Sequence, residues 1–517
     1  MDGNAVDWFL DRHVRDGAGE RTAFTDPWRS ITYAGLATET RRFAAALQRA
    51  GIERERRVAI LLLDTIDFPI AFWGCIRAGV IPVPINTLLT ADSVAYILAD
   101  SRSEAVVGSS VVLSGLEAAL REASGLKHIV VSQPDGSAPE SSDDPRQIGF
   151  AEFLAGTDPE TATAPASPDE TAFWLYSSGS TGAPKGVRHV HASLRYTAET
   201  YGAGVLGIQP DDVVFSAAKA FHAYGLGNSL TFPMAVGAST VFLPDRPTPD
   251  AVLATMERHN PTIFGGVPTL YAGLLANPMI RPGAGSTRLR RCISAGEALP
   301  ADIGRRWHAQ VGVDILDGIG STEMLHIFIS NRPDDVRYGT SGKPVPGYEA
   351  RVVDEHDRVA PHGEEGELIV KGPSAADGYW NQRDKSRRTF RGEWTYTGDT
   401  YTRDEEGYYR FRGRSDEMLK VSGVWVSPFE VEEALISHPA VLEAAVIGRQ
   451  DGDGLTKPKA FVVTREPGAG SDDLVRTLQN HVKDRIGVWK YPRWIEFADT
   501  LPKTATGKIQ RFRLRET

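Results

Sequence analysis

The stretch SSGSTGAPKG at residues 177–186 has the small, hydroxyl-rich composition of a loop that binds phosphate. Glycine permits the backbone conformations in which consecutive N–H groups point at an anion, and Lys185 adds a positive charge. The loop follows an apolar run at 172–176, predicted to be a strand, and residues 187–201 after it are predicted to form a helix. Pro184 precedes the lysine, so the loop fits neither the Walker pattern nor the dinucleotide-binding pattern. A flexible Gly/Ser linker is the alternative, although a linker seldom follows a buried strand.

Two histidines, His189 and His191, come directly after this loop and raise the alternative of a metal site. A zinc site usually needs three or four ligands, and no cysteine or third ligand accompanies them. The sequence therefore favours the interpretation that both residues open the predicted helix.

The elements that must position the loop follow an α/β pattern. Short apolar runs at 57–63 and 105–108 alternate with helix-like segments such as 36–49, which predicts a core of parallel strands. Residues 137–169 are rich in Ser, Pro, Asp and Ala and indicate a loop-rich connection. Strand-like runs at 348–353, 366–371 and 407–411 lead to a domain junction expected at 413–417. After it, helices are predicted at 427–437 and 474–486, and strands at 441–448 and 459–464.

Composition and charge exclude several classes of function. The 517 residues carry 57 Lys and Arg against 67 Asp and Glu, a net charge of 57 − 67 = −10, and no basic block suits nucleic acid. Asp64, Asp67 and Arg77 interrupt the most apolar region, so no membrane span of about 20 apolar residues is expected. The first residues lack a basic leader and an apolar run, which predicts no signal peptide. Two cysteines without a C-x-x-C pair fit a reducing cytoplasm.

Five motifs, in order, resemble those of the adenylate-forming superfamily, whose members include acyl- and aryl-CoA ligases, peptide-synthetase adenylation domains and beetle luciferase. They are YSSGSTGAPKG at 176–186, DGIGSTE at 317–323, YTGD at 396–399, GRSD at 413–416 and PKTATGK at 502–508. The resemblance extends over residues 20–515 and implies an enzyme that activates a carboxylate with ATP.

In that superfamily the carboxylate attacks the α-phosphate of ATP, forms an acyl-adenylate and expels pyrophosphate. The resemblance implies that Glu323 holds Mg²⁺, that Thr322 donates to phosphate, and that Lys508 is the catalytic lysine. The remaining ATP contacts that it implies are Ser177, Ser178, Gly179, Ser180, Thr181, Gly182, Lys185, Gly296, Glu297, Asp317, Gly318, Ile319, Asp399 and Arg414. Many relatives carry an aromatic residue against adenine where this chain has Ile319, so weaker stacking is expected there. A surface lysine is the alternative for Lys508.

One branch of the superfamily is matched more closely. The stretches AKAFHAYGLGN at 218–228, SAGEALP at 294–300 and GIGSTEMLHIFISN at 318–331 resemble benzoate-CoA ligases and their hydroxy- and aminobenzoate relatives. The flat walls and small residues of the implied pocket favour a compact planar acid over a fatty chain. The pocket residues that the resemblance implies are His222, Ala223, Tyr224, Phe232, Ala295, Gly320, His326 and Ile327.

Two histidines of this pocket leave alternatives open. His326 is interpreted either as a contact to a ring hydroxyl or amine, or as a core residue with its hydrogen bonds satisfied. His222 stands where benzoate-CoA ligases often carry phenylalanine, and it packs either over the substrate entrance or near the adenylate.

The implied architecture is an α/β fold with two domains. An N-terminal adenylation domain, residues 1–413, has parallel-rich sheets and a β-rich subdomain. A hinge at 414–416 turns about Asp416, and a small mobile α+β lid domain, residues 417–517, carries the catalytic lysine. After rotation of the lid, Ser422 and Gly423 are expected to line a tunnel for coenzyme A.

The leading hypothesis is therefore an aryl-CoA ligase that uses ATP, Mg²⁺ and CoA. A stand-alone enzyme that loads the aryl group onto the phosphopantetheine thiol of an acyl carrier protein is the second hypothesis. The third is a non-catalytic nucleotide-binding relative, which the complete set of motifs argues against.

Overall fold

The structure is a computed structural model that describes residues 3–133, 135–137, 139, 142–179, 182–414, 417–421, 424–452, 455–503 and 509–515. Its strands are β1 (Thr22–Thr25), β2 (Ser30–Thr32), β3 (Arg57–Leu61), β4 (Ile81–Pro84), β5 (Ser103–Ser109), β6 (His128–Ser132), β7 (Gln147–Gly149), β8 (Thr171–Gly179), β9 (Gly182–Val190), β10 (Val213–Ser216), β11 (Ser239–Val241), β12 (Ile263–Gly266), β13 (Arg291–Ser294), β14 (Ile315–Gly320), β15 (Ile327–Ser330), β16 (Lys343–Pro344), β17 (Glu349–Val353), β18 (Glu365–Lys371), β19 (Gly378–Tyr379), β20 (Phe390–Arg391), β21 (Trp394–Arg403), β22 (Tyr409–Arg414), β23 (Leu419–Val421), β24 (Val424–Val426), β25 (Val441–Gln450), β26 (Thr456–Thr464) and β27 (Trp494–Phe497).

Helices surround these strands, and three π-helical segments (Asp7–Asp11, Ala198–Ala203 and Gly227–Thr231) adjoin them. The α-helices are α1 (Arg12–Arg15), α2 (Tyr33–Arg49), α3 (Asp67–Arg77), α4 (Ala91–Ser101), α5 (Ser110–Leu113), α6 (Glu117–Glu122), α7 (Phe150–Leu154), α8 (His191–Thr197), α9 (Ala223–Leu226), α10 (Phe232–Val236), α11 (Pro249–His259), α12 (Pro268–Ala276), α13 (Ala301–Val311), α14 (Arg383–Thr389), α15 (Pro428–Ile436), α16 (Asp472–Ile486) and α17 (Arg511–Leu514).

Two sheets rich in parallel pairs form the N-terminal part. One has the order β16-β15-β14-β13-β12-β10-β11-β1-β2, with parallel pairing from β14 through to β1. The other has the order β4-β3-β5-β6-β7 and is parallel throughout. Apart from the edge strands β2, β7 and β16, most residues of these strands are apolar and buried, as expected where helices cover both faces of a parallel sheet. The predicted parallel α/β core is thereby confirmed.

The remaining sheets are antiparallel except for the parallel pair β26–β27. β17, β18, β20, β21 and β22 form a β-rich unit, and β8, β9 and β19 form a three-stranded sheet. In the C-terminal part β25-β26-β27 is covered by α15 and α16, whose apolar faces share one core with the sheet. The helix predicted at 427–437 is α15 with one additional residue at each end, and the elements predicted at 441–448, 459–464 and 474–486 lie within β25, β26 and α16.

The helix predicted at 187–201 is wrong over its first four residues. Residues 187–190 belong to β9, which pairs antiparallel with β8 on one side and with β19 on the other. The helix α8 begins only at His191. His189 is therefore a strand residue, and only His191 opens the helix, which corrects the interpretation that both do so. The β-branched residues Val187 and Val190 suit this pairing.

Candidate active site

The stretch expected to bind phosphate lies at the end of the β-hairpin formed by β8 and β9. β8 and β9 pair through Ser177 with Lys185 and through Gly179 with Gly182, so the tip projects from a rigid ladder. Ser178 lies in β8, whereas Ser180 and Thr181 lie outside the described residues. Within the described part of the chain, the buried Ser177 hydroxyl has no hydrogen-bond partner. A buried unpaired donor at the base of this tip fits a site that receives an anion.

Lys185 and Glu323 meet beside the hairpin. The Lys185 Nζ atom lies 3.4 Å from Glu323 Oε1, and the Tyr379 hydroxyl donates to the same oxygen at 2.8 Å. Burial opposes ionisation of Glu323, but the Lys185 ammonium and the Tyr379 hydroxyl outweigh it and hold the pKa of Glu323 below its ordinary value. Glu323 is therefore an anion on the floor of the site.

A single carboxylate beside a phosphate site fits the binding of Mg²⁺. Magnesium keeps several waters and usually takes one or two carboxylates together with substrate phosphates. Across the residues that the structure describes, no cluster of three His, Cys, Asp or Glu side chains could hold a metal ion. Glu323 fits a metal that arrives with the phosphates of a nucleotide.

His189 contacts the backbone immediately before Glu323. Its Nε2 atom lies 2.8 Å from the carbonyl oxygen of Thr322, and its ring stacks on Phe173 at 5.2 Å. Burial lowers the pKa of His189 to about 4, so the ring is neutral and donates from Nε2. His189 thus fixes the backbone at Thr322 and Glu323 rather than binding a metal.

The carboxyl ends of β12, β13 and β14 converge beside the hairpin, where open α/β sheets place their ligands. Ala295 and Gly296 follow β13, and residues 318–320 end β14. Gly296 has a φ of +94°, which glycine adopts without strain. Asp317 is buried at β14, where burial raises its pKa well above the ordinary value, and its Oδ2 accepts from the backbone of Leu299 at 3.4 Å.

Asp399 and Arg414 pair on the neighbouring strands β21 and β22. Arg414 Nη1 lies 2.9 Å from Asp399 Oδ1 and donates to the carbonyl oxygen of Thr397 at 3.2 Å. Burial raises the pKa of the Tyr379 hydroxyl, Glu323 adds to the rise, and Arg414 opposes it. The Arg414 charge is therefore near enough to Tyr379 to oppose the rise in the pKa of its hydroxyl.

The aromatic pocket residues implied by the sequence lie together. The Phe232 ring contacts the His326 ring at 4.4 Å, and His326 Nε2 lies 3.2 Å from the carbonyl oxygen of Tyr224. The Tyr224 hydroxyl lies 3.0 and 3.1 Å from the carbonyl oxygens of Gly266 and Ile293 and shares its one proton between these two acceptors at the ends of two sheet strands. The described pocket residues also include Ala223 at the start of α9, Ala295 after β13, Gly320 at the end of β14 and Ile327 at the start of β15.

Burial lowers the pKa of His326 to about 3, so its ring is neutral. Since Nε2 faces a carbonyl oxygen, the proton belongs on Nε2 and the Nδ1 lone pair stays bare. Nδ1 is buried and has no partner among the described residues. The structure therefore gives His326 an unused acceptor. His222 precedes α9 and packs edge-on against Phe221 at 4.6 Å.

Sequence reasoning missed three residues of the site. Tyr379 lies in β19, which pairs with β9 from nearly 200 positions away, and no local spacing signals that contact. Tyr201 packs on His326 at 5.4 Å. Gly227 lies against His326 so closely that an added Cβ would come within 2.3 Å of Cδ2 of that ring. Gly227 lies in the stretch 218–228, and the resemblance of that stretch to benzoate-CoA ligases is the one signal in the sequence that could have identified it.

Several residues implied by the motifs lie outside the described residues: Ser180, Thr181, Asp416, Ser422, Gly423 and Lys508. The residue after Lys508 is described, however. The backbone N–H of Ile509 donates to Glu297 Oε1 at 3.0 Å, which brings the C-terminal segment to the loop after β13.

Within the described ranges, no helix combines the length and the apolarity needed to cross a membrane.

Family models match both parts of the chain. The model described as AMP-binding enzyme matches residues 10–380, and that described as AMP-binding enzyme C-terminal domain matches residues 430–508. Among curated proteins, the chain is 54% identical to a benzoate–CoA ligase of Thauera aromatica, over 99% of the chain and 95% of that protein. It is 51% identical to a 4-hydroxybenzoate–CoA/benzoate–CoA ligase of Rhodopseudomonas palustris, over 100% and 94%. Among solved structures, it is similar to a benzoate CoA ligase from Burkholderia xenovorans LB400, with a TM-score of 0.91, 48% identity and 99% of each chain covered.

Proposed function

The chain belongs to the AMP-binding enzyme family, and we propose that within this family it is an aryl-CoA ligase. It activates benzoate or a hydroxy- or aminobenzoate with ATP and then transfers the aryl group to CoA, releasing AMP and pyrophosphate. The observation that carries this proposal is the pocket of Tyr224, Phe232 and His326 beside the anionic floor at Glu323. A flat apolar pocket next to a phosphate site suits an aromatic acid whose carboxylate must reach ATP.

In the first half-reaction, positive charge and fixed donors lower the barrier, because the attack of a carboxylate on ATP brings negative groups together. Lys508 contacts the carboxylate and the α-phosphate, and Thr322 with the 177–182 tip donates to phosphate oxygens. Glu323 would hold Mg²⁺, which would neutralise charge on the phosphates. Lys185 assists the leaving pyrophosphate, while Asp399 binds the ribose hydroxyls and Arg414 faces the nucleotide.

In the second half-reaction, the C-terminal domain turns about the hinge at 414–416. Residues 1–413 form the adenylation domain and residues 417–517 the lid. Rotation withdraws Lys508 and brings Ser422 and Gly423 to the pantetheine tunnel. The hydrogen bond from the Ile509 N–H to Glu297, which is one contact between the two parts, supports assigning this arrangement to adenylation.

The unpaired Nδ1 atom of His326 indicates which substituents on the aromatic ring of the substrate the pocket accepts. A neutral acceptor in an apolar pocket pairs with a hydroxyl or amino group on the ring. Solved relatives include an anthranilate CoA ligase in complex with anthranoyl-AMP, 42% identical and with a TM-score of 0.94. We therefore propose that hydroxy- and aminobenzoates are accepted alongside benzoate.

Pyrophosphate exchange with a panel of aromatic and fatty acids tests the substrate class. Benzoate and its hydroxy and amino derivatives are expected to support exchange, and octanoate is not. Good exchange with octanoate and none with any aryl acid would refute the proposal. Comparison of free CoA with a holo acyl carrier protein as the thiol identifies the acceptor, and faster transfer to the carrier protein would favour the loading enzyme instead.

A further inference from the structure

The carboxylate of Glu323 is contacted by two side chains through one and the same oxygen. Lys185 Nζ lies 3.4 Å from Oε1, and the Tyr379 hydroxyl donates to Oε1 at 2.8 Å. The Lys185 and Glu323 side chains are only 13% and 15% exposed, so water screens the pair poorly. The carboxylate expected to take a metal is already neutralised by the protein.

Tyr379 links the cation and the anion. A tyrosine hydroxyl has one proton, and the short contact assigns that proton to Glu323. Lys185 Nζ, 3.3 Å from the hydroxyl oxygen, therefore donates to a lone pair of Tyr379, and it also lies 4.5 Å from the centre of the ring. Within these three groups each charge therefore has a partner, and the Thr389 hydroxyl lies a further 3.4 Å from the Tyr379 hydroxyl oxygen.

We propose that Lys185 is the resident counter-ion of Glu323 and that a nucleotide triphosphate must draw it away before a divalent cation can bind the carboxylate. The inference rests on the proposed function of the site. Lys185 starts from β9 opposite Ser177, at the base of the phosphate-binding tip, and its flexible four-carbon stem allows Nζ to turn from Glu323 towards phosphate oxygens. The cation and the nucleotide then bind together, and the empty protein has low affinity for the cation.

Tyr379 acts as a positioning residue in this exchange. Its backbone is fixed by the pairing of β19 with β9 and by the Ser386 hydroxyl, which lies 2.9 Å from its backbone nitrogen. The hydroxyl therefore stays in place when Lys185 leaves and keeps Oε1 of Glu323 occupied. The rest of the carboxylate then faces the incoming cation in a fixed orientation.

Binding of Mn²⁺, followed by electron paramagnetic resonance, tests the exchange without any turnover. The full chain is titrated with Mn²⁺ alone and then with α,β-methylene ATP present, which cannot release pyrophosphate. The variants are Lys185→Met, the charge-preserving Lys185→Arg and Tyr379→Phe. The matched control is Lys385→Met, because Lys385 is a second cation near the site, with its pKa lowered first by burial and then by Lys185.

Without nucleotide, Lys185→Met is expected to bind Mn²⁺ about ten-fold or more tightly than the parent, since a cation no longer occupies the carboxylate. Lys185→Arg and Lys385→Met are expected to remain like the parent. With the analogue, the parent is expected to bind Mn²⁺ tightly, and Tyr379→Phe several-fold less so.

Three results would overturn the inference. The first is that the parent without nucleotide binds Mn²⁺ as tightly as Lys185→Met does. The second is that Lys385→Met gains as much affinity for Mn²⁺ as Lys185→Met, which would make the effect one of net charge. The third is that Tyr379→Phe, with the analogue present, binds Mn²⁺ as tightly as the parent. Failure of the analogue itself to bind the parent is a separate outcome, and it would remove the proposed function along with the inference.

Discussion

At the scale of single residues, the proposed aryl pocket leaves no room for a side chain at Gly227. A Cβ at Gly227 would lie 2.3 Å from His326 Cδ2 and 2.8 Å from Phe232 Cζ. Overpacking of this kind costs about 1–3 kcal/mol, so Gly227→Ala is expected to lower kcat/KM for the aryl acid about ten-fold. Steady-state kinetics with each substrate varied in turn measures this, and the KM for ATP is expected to stay near the parent value.

The control for Gly227 is Gly115→Ala. The nearest atom to a Cβ at Gly115, the carbonyl oxygen of Val112, is 3.8 Å away, which is ordinary contact. Equal losses in the two variants, or a loss confined to ATP, would place the effect of Gly227 outside the aryl pocket.

The buried histidines make stability depend on pH. Burial lowers the pKa of His189 from 6.5 to about 4, so the unfolded chain takes up this proton at a higher pH than the folded chain. The contribution of His189 to stability is present above pH 6.5 and is lost as the pH falls towards about 4, at up to about 1.4 kcal/mol per pH unit. His191 and His326 act with the same sign. Asp317, whose pKa is raised, acts with the opposite sign.

His189→Gln isolates one of these contributions, because glutamine can still donate to the Thr322 carbonyl. The free energy of unfolding in urea is measured for parent and variant between pH 4 and 7. The variant is expected to lose less stability than the parent across this interval. Parallel curves would mean that His189 carries its proton equally in both states.

At the scale of elements, the sequence predicts what is local and misses what is paired at a distance. The apolar run at residues 172–176 is part of strand β8, as predicted, and residues 172–175 of it are buried. The run at residues 187–201 is predicted to be a helix, which is wrong for residues 187–190. Residues 187–190 are a strand because β8 pairs with all four of them, and β19 adds a second partner at residues 187 and 188. Tyr379 reaches Glu323 through this same distant pairing, so no spacing pattern could place it.

The C-terminal helix α17 is tied to α15 by a buried ion pair. Arg511 contacts both oxygens of Glu432, at 2.8 and 3.0 Å from Nη2, and the backbone of Val446 donates to the same carboxylate at 2.7 Å. Arg511→Met leaves Glu432 buried without its cation, which costs about 3–5 kcal/mol. We expect a lower melting temperature and slower adenylation, since Ile509 next to the catalytic segment loses its support.

A double variant separates the charge from the packing. Arg511→Met with Glu432→Leu removes both charges, and such replacements are often neutral, so it is expected to recover most of the melting temperature. Arg515→Met, at an exposed position of the same segment, is the matched control. A double variant as unstable as Arg511→Met would show that the ion pair does not carry the effect.

At the scale of the whole molecule, the proposed adenylation requires the C-terminal segment around residue 509 to lie against the site in the N-terminal part of the chain. Two backbone contacts join the C-terminal part to the loop and helix after β13: the Ile509 N–H to Glu297 at 3.0 Å, and the Ala301 N–H to Glu433 at 3.4 Å. The sequence predicted the segment from its motif but could not predict this arrangement, because a hinge allows more than one. Apolar contacts also join the two parts: the Phe411 and Phe429 rings lie 5.3 Å apart, and Ile436 packs against the core cluster that contains Trp307.

Because this arrangement is the one expected to carry out only the first half-reaction, Lys508→Ala should affect the two halves unequally. Loss of one preorganised donor typically costs about 10²–10³ in rate, so formation of the aryl-adenylate is expected to slow by that factor. Thioester formation from supplied aryl-adenylate is expected to change little, since the lysine has then left the site. Single-turnover rates of both halves measure this, with Lys483→Ala on α16 as the control. Equal losses in the two halves would mean that Lys508 serves both from one arrangement and that the domains do not alternate.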